Sequence, residues 1–392
     1  MKIDTHVLKT ILFIVSENEW STKERKALFD MQIAFEEGKK IYLCAREDSP
    51  IYKKSKELIV ELIPMKDHFF KKIFFYHRHF NLQIPIKRIQ FDLIVAYDFS
   101  FLVSICIQLR TNQNTALIFS QCNFVPHYLK KIWFRPFFNR IDVILLINKN
   151  LKQDARGSLD VQTRKIETIL PGVLQKNLES EIKELTQIDF EIYKDYFLVG
   201  TYIGPTSLNM DNLTSLISAL KVISDNTFLN KKNKLVFISE VEFSSFSEWP
   251  VLMDLIKSHD LIEDVLFVTT GRILNLLSSL SLWISHNPNE LIEDFAISAL
   301  INEIPIILPR NFCSKDLLEE YLGVGETYKL FDARELRDKW IKIILGYGIY
   351  KEKIRLYKYF IERDFSYKNY KFNVLSAFIR PVTRKIRAIK SN

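Results

Sequence analysis

Short apolar runs alternate along this chain with longer stretches in which apolar positions recur every three or four residues. The runs at 10–15, 40–45, 60–63, 91–96, 115–120 and 143–147 predict strands, and the patterns at 22–37, 51–58, 66–80, 99–110 and 126–139 predict helices between them. Near Val173 the rhythm pauses in a polar, acidic stretch, 175–194. It then restarts with strands at 196–200, 234–239, 265–269, 282–286 and 305–308, and helices at 212–224, 249–259, 272–280 and 290–302. Two further helices, 333–346 and 350–363, and a basic tail from Arg380 finish the chain.

Strand and helix in this order predict parallel sheets covered by helices on both faces. The expected fold class is α/β, with two Rossmann-like doubly wound domains in tandem and a cleft between them. The expected boundaries are 1–173 for the first domain, 174–195 for a linker and 196–349 for the second, with 350–392 packing back on the first domain. Ligands of such sheets bind at the carboxyl ends of the strands. The architecture by itself does not choose a reaction.

Composition narrows the class. At 392 residues the chain exceeds what one core fills, and 47% apolar residues suffice for two. That fraction excludes intrinsic disorder, and 10 Gly with 12 Pro excludes collagen-like and low-complexity chains. Cys44, Cys106, Cys122 and Cys313 form no CxxC pair and no disulfide framework, which predicts buried thiols in a reducing compartment. Crossing a membrane takes about 20 continuous apolar residues. The best candidate, 93–109, contains Asp98. The first apolar run, 11–15, is too short for a signal-peptide core. A soluble cytoplasmic protein is expected, able to lie on the inner face of the cytoplasmic membrane.

The most informative segment is 284–310, ISHNPNELIEDFAISALINEIPIILPR, where a strand ends in a polar turn, a helix begins and a second strand follows. Asn287 or Asn289 is placed to cap the helix starting at Glu290, whose free N–H groups and positive dipole end suit an anion such as phosphate. The segment resembles the signature of GT-B fold glycosyltransferases, in particular the retaining family four. Aligned on Pro305, the family's first glutamate falls on Glu290 and its second on Ser298, while Ala299 matches and Glu303 replaces a glycine. Residues 265–271, 168–173 (TILPGV), 140–153 (RIDVILLINKNLKQ) and 197–201 (FLVGT) resemble further family segments, so the resemblance runs over about 10–345. It implies an acceptor handled by the first domain and a nucleotide-sugar by the second, with no cofactor beyond that donor substrate.

Several positions depart from the family pattern. The arginine that neutralises the diphosphate leaving group is Thr201 here, and no lysine follows until Lys221. Ser298 lacks the charge of the glutamate that holds ribose hydroxyls. The Gly-Gly loop after the first strand is replaced by 16–20, and the acceptor-side histidine by Tyr97, Asp98 or Gln121. Either Arg272, Lys315 and the helix N-terminus hold the diphosphate, or the donor site is degenerate and the chain is a non-catalytic subunit that binds a glycan or a partner transferase. A binding protein of paired α/β domains is the third option, and its periplasmic forms need a signal peptide.

Each candidate also has a plain structural reading. Glu290 is favoured in any first helical turn. Arg272 suits a solvent-facing position or a helix cap, Ser298 a helix interior, and Lys315 an ion pair with the acids of its own helix. Asp98 and Glu17, the acids nearest the strand ends of the first domain, either face the acceptor or cap helices. His68, His77 and His79 lack Cys or acidic partners at ligand spacing, which predicts no metal.

The net charge of +8 is uneven. Residues 1–175 hold 27 basic and 18 acidic side chains, leaving 28 and 29 for the rest, and 66–140 alone hold 11 and 3. With a pI near 9.0 but no RNP, helix-turn-helix, zinc or OB signature, nucleic acid is not the expected partner. The basic aromatic segments 67–80 and 126–140 suit an anionic lipid surface, with Lys71, Lys72, Lys130, Lys131, Trp133 and Arg135 facing it and the acid-free tail from Arg380 adding charge. The alternative is that the rings fill the first core and the cations solvate its outside.

Overall fold

The computed structural model describes residues 5–16, 22–56, 58, 60–65, 89–130, 134–149, 151–170, 172, 190–204, 210–226, 229, 232–239, 242–269, 276–286, 294–310 and 312–391. The chain divides into two compact units, Met1–Pro171 with Lys368–Asn392, and Gly172–Tyr367. Residues 174–189 of the expected linker lie outside the described residues, as does the whole expected helix at 66–80, and the linker's end holds a 3-10 turn at Phe190–Tyr193.

In the first unit β1 (Thr10–Ile14), β2 (Lys40–Ala45), β3 (Glu61–Pro64), β4 (Leu93–Ala96), β5 (Ala116–Gln121), β6 (Val143–Leu146) and β7 (Ile166–Thr168) form a parallel sheet ordered β3-β2-β1-β4-β5-β6-β7. In the second, β8 (Phe197–Ile203), β9 (Asn233–Ser239), β10 (Val265–Thr269), β11 (Leu282–Ile284), β12 (Ile306–Pro309) and β13 (Gly325–Tyr328) follow the order β10-β9-β8-β11-β12-β13, again parallel. The central strands are buried along their length except at Thr10, the first residue of β1, as helix-covered parallel strands must be, which is why their sequences are mostly apolar. Two edge strands were not expected. In β7 only Ile166 is buried, and in β13 only Tyr328, so neither carries an apolar run.

The expected helix at 126–139 is corrected: a 3-10 turn at His127–Lys130 and a short helix at Arg135–Phe138 stand there instead. Pro136 lies in the first turn of the second piece, where its missing N–H costs nothing, and it cannot continue a helix arriving from upstream. Among the described residues no helix is long and apolar enough to cross a membrane. Cys44, Cys106 and Cys122 are free and buried, and burial pushes each thiol up to about 12.

The C-terminal segment 350–392 is not one piece. The helix Tyr347–Phe365 belongs to the second unit, where Arg355 and Lys358 pair with Glu303 at 2.8 and 3.0 Å and the Tyr321 hydroxyl donates to Asp364. The helix Tyr367–Ser391 belongs to the first and includes what the sequence suggested was a basic tail. Lys385 pairs there with Asp142 at 3.3 Å, and Arg380 with Glu167. Phe378 packs on Phe13 of β1, and the Tyr370 ring stacks on Phe29 at 5.2 Å.

Below that stack the helix Thr22–Glu36 buries charge. Asp30 accepts from Lys26 at 2.9 Å, from the Tyr97 hydroxyl at 2.6 Å and from the Tyr370 hydroxyl at 2.5 Å. Burial, with the Asp30 carboxylate alongside, holds the Tyr97 phenol far above its ordinary value. One carboxylate thus joins a helix, the end of β4 and the C-terminal helix. Removing one partner of such a cluster strands the others without water. Asp30→Ala is expected to destabilise the first unit by about 3–5 kcal/mol and Tyr370→Phe by about 1–2 kcal/mol. Urea unfolding followed by hydrogen exchange in β1 and β4 measures both.

Candidate functional site

In a doubly wound sheet the crevice opens where the strand order reverses, because neighbouring crossovers there leave in opposite directions. The first sheet reverses between β1 and β4, the second between β8 and β11.

At the first reversal Ser16 follows β1 and Asp98 follows β4. The Asp98 carboxylate accepts the Ser16 backbone N–H at 2.5 Å and the Lys23 ammonium at 2.5 Å, and the Ser16 and Ser100 hydroxyls lie 3.2 Å apart. Asp98 is 3% exposed and the Lys23 side chain 9%. Asp98 sits at the N-cap position of the helix Phe99–Gln108, yet its side chain makes no capping hydrogen bond. Both carboxylate oxygens are engaged in tying the two strand ends and neutralising a buried lysine. Glu17 lies outside the described residues.

The described residues at the second reversal are uncharged: Ile203 ends β8 and Gly204 follows it, and Ser285 and His286 follow β11. Thr201 lies within β8 and is fully buried. Its hydroxyl is 2.8 Å from His286 Nδ1. His286 is 6% exposed, and burial lowers its imidazole to about 4, so it is neutral at neutral pH. On the opposite face of β8, Gly200 makes room for Leu280 and Trp283: a Cβ there would run into the Leu280 side chain and meet Trp283 Cε3 at 3.2 Å.

The remaining candidates are placed as follows. Ser298 lies on the buried side of the helix Asp294–Ile301, 2% exposed. Lys315 is exposed and 3.6 Å from Glu319, one turn along its own helix. Arg272, Asn289 and Glu290 lie outside the described residues, as do Lys71, Lys72, Lys131 and Trp133. Lys130 pairs with Asp154 at 3.1 Å and Arg135 with Asp160 at 3.8 Å. Among the described residues no group of three or more His, Cys, Asp or Glu could hold a metal ion. Sequence reasoning gave His286 no role, although a histidine two residues past a fully apolar central strand was the available signal. It also missed Lys23, Lys26 and Asp30, whose spacing puts charge on the buried face of their helix.

Two parallel, helix-covered units of this topology in tandem constitute the GT-B fold. No protein-family model matches the chain, and no curated protein matches it in sequence. Solved structures do match it over nearly the whole length. A glycosyltransferase from Rickettsia africae shares 15% identity at a TM-score of 0.71, covering 96% of this chain and 99% of that one. Anabaena Alr3699/HepE, solved in complex with UDP, shares 12% at 0.65 over 98% and 100%. WaaG, a glycosyltransferase involved in lipopolysaccharide biosynthesis, shares 11% at 0.60 over 94% and 99%.

The buried imidazole makes stability depend on pH. His286 takes up a proton near 6.5 when unfolded and only near 4 when folded, so the unfolded chain binds more protons between these values. Stability therefore falls as pH drops through that window, and the loss is complete below it. Relative to His286→Gln, the protein is expected to lose about 3 kcal/mol between pH 6.5 and 4. Paired denaturant titrations at each pH check this.

Proposed function

We propose that this chain is a nucleotide-sugar-dependent glycosyltransferase of the retaining, family-four kind, acting on a glycan or lipid-linked acceptor in surface polysaccharide or lipopolysaccharide assembly. The observation that carries the reading is the match along both units to solved glycosyltransferases. HepE was solved with UDP-glucose as well as UDP, which supports a nucleotide-sugar as donor. The donor belongs at the carboxyl ends of β8 and β11, with Arg272, Asn289, Glu290 and Lys315 as its contacts, while Thr201 and Ser298, both buried, support the site without touching the donor. The acceptor belongs at the first reversal, beside Ser16 and Ser100.

One observation favours a second reading, a non-catalytic subunit that binds a glycan or a partner transferase. Where the family places a cation against the diphosphate, Thr201 is buried against a neutral histidine. Thermal shift against UDP-, GDP- and CMP-sugars separates the two. Stabilisation by one nucleotide class, lost in Glu290→Ala, is expected for the transferase, and no shift with any donor supports the subunit.

The basic surplus of 66–140 supports a cytoplasmic location on the inner face of the membrane. Lys130 and Arg135 already have acidic partners, so Lys71, Lys72 and Lys131 are the residues this placement depends on. Flotation with anionic liposomes at physiological salt is expected to carry the protein upward, and charge reversal of these three lysines to reduce that severalfold.

A further inference from the structure

The Thr201–His286 pair has a feature that packing does not explain. A buried threonine hydroxyl has one hydrogen to donate and a buried neutral imidazole has one N–H. Among the described residues each side chain has the other as its only hydrogen-bond partner. Two tautomers fit that contact. If His286 donated through Nδ1, the Thr201 hydrogen would be left without an acceptor in a fully buried strand, and the Nε2 lone pair would be the ring's free group. If Thr201 donates to Nδ1, its hydrogen is satisfied and the ring proton must sit on Nε2. The second arrangement leaves one group of the pair without a partner among the described residues, the Nε2–H, where the first leaves two, the hydroxyl hydrogen and the Nε2 lone pair, and the cost of each unpaired group favours it. It turns His286 into a fixed N–H donor at the carboxyl end of β11, beside the strand-order reversal.

The surroundings define what such a donor serves. Ile203, Gly204 and Ser285, the other described residues flanking the reversal, carry no charge. Arg310, which follows β12, pairs with Glu335. Among the described residues at the ends of β8 and β11, an anionic oxygen entering this crevice therefore meets a neutral donor. A hydrogen bond between a neutral N–H and a charged oxygen is among the stronger kinds, particularly where water is excluded.

We propose that His286, held as the Nε2–H tautomer by Thr201, donates a hydrogen bond to a diphosphate oxygen of the nucleotide, taking the place of a cationic side chain. Nothing covalent is involved. This rests on the donor site lying where the proposed function puts it, and it adds the residue and protonation state that hold the charge. It follows that diphosphate-containing ligands gain more from the site than nucleoside monophosphates do.

The test is titration calorimetry of the full chain with UDP, GDP, UMP and GMP, using whichever diphosphate binds. His286→Leu is expected to weaken that diphosphate about ten- to hundredfold while changing the monophosphate much less. His286→Gln, whose amide carries an N–H at about the Nε2 position, should recover most of the loss, and Thr201→Val should fall between the two. Nitrogen NMR of the unliganded protein should show the His286 proton on Nε2, a readout that needs no variant to fold. A proton on Nδ1, or equal diphosphate affinity in the protein and in His286→Leu, overturns the inference while leaving the donor-site reading intact. Absence of binding by any nucleotide overturns both.

Discussion

Parallel strand pairing is the constraint on which the rest of this structure depends. Each ladder in both units runs parallel, so every connection must cross over the sheet and each sheet must be covered on both faces. Two consequences follow. The central strands become predominantly apolar, and all their carboxyl ends emerge along one edge of each sheet, where the order reverses once. Polar side chains directly after the central strands are thereby gathered without any long-range motif.

The two units use that edge differently. The first buries full charges and neutralises them pairwise: Asp98 with Lys23, Asp30 with Lys26, and the Tyr97 and Tyr370 hydroxyls complete the second pair. Such pairs contribute little net stability over apolar packing, but each is costly to break. They therefore fix the position of the C-terminal helix and of the strand ends more than they strengthen the fold. Among its described residues, the second unit's reversal carries a threonine and a neutral histidine instead of charged pairs. A site of that kind recognises an anion through direction rather than net charge, which makes the placement of one proton decisive.

Much of the architecture was legible from hydrophobic runs, because a strand buried on both faces cannot hide its composition. The runs at 10–15, 40–45, 91–96 and 265–269 lie on β1, β2, β4 and β10 with boundaries within about two residues. Edge strands β7 and β13 were not legible, since half-solvated backbones tolerate Glu and Thr. The helix at 126–139 failed on Pro136, and the basic tail is part of a helix grouped with the first unit, where Arg380 and Lys385 find acids far away in sequence, at Glu167 and Asp142. The candidate site was less legible than the fold. Thr201 was singled out for the residue it lacked, not for the partner it has. His286 is 85 positions from Thr201, and nothing in local spacing announces a contact made by two neighbouring parallel strands. Asp98 was visible as an acid at a strand end, but its engagement by Lys23 and the Ser16 amide exists only once β1 and β4 are paired.

The central claim is that the nucleotide is held at the carboxyl edge of the second sheet. Backbone amide shift mapping of the full chain titrated with UDP or GDP tests it most directly. The account predicts perturbations concentrated at Ile203, Gly204, Ser285 and His286, with β1 and β4 unaffected. Perturbations centred on Ser16, Lys23 and Asp98, or at the amino ends of the second sheet, would contradict it.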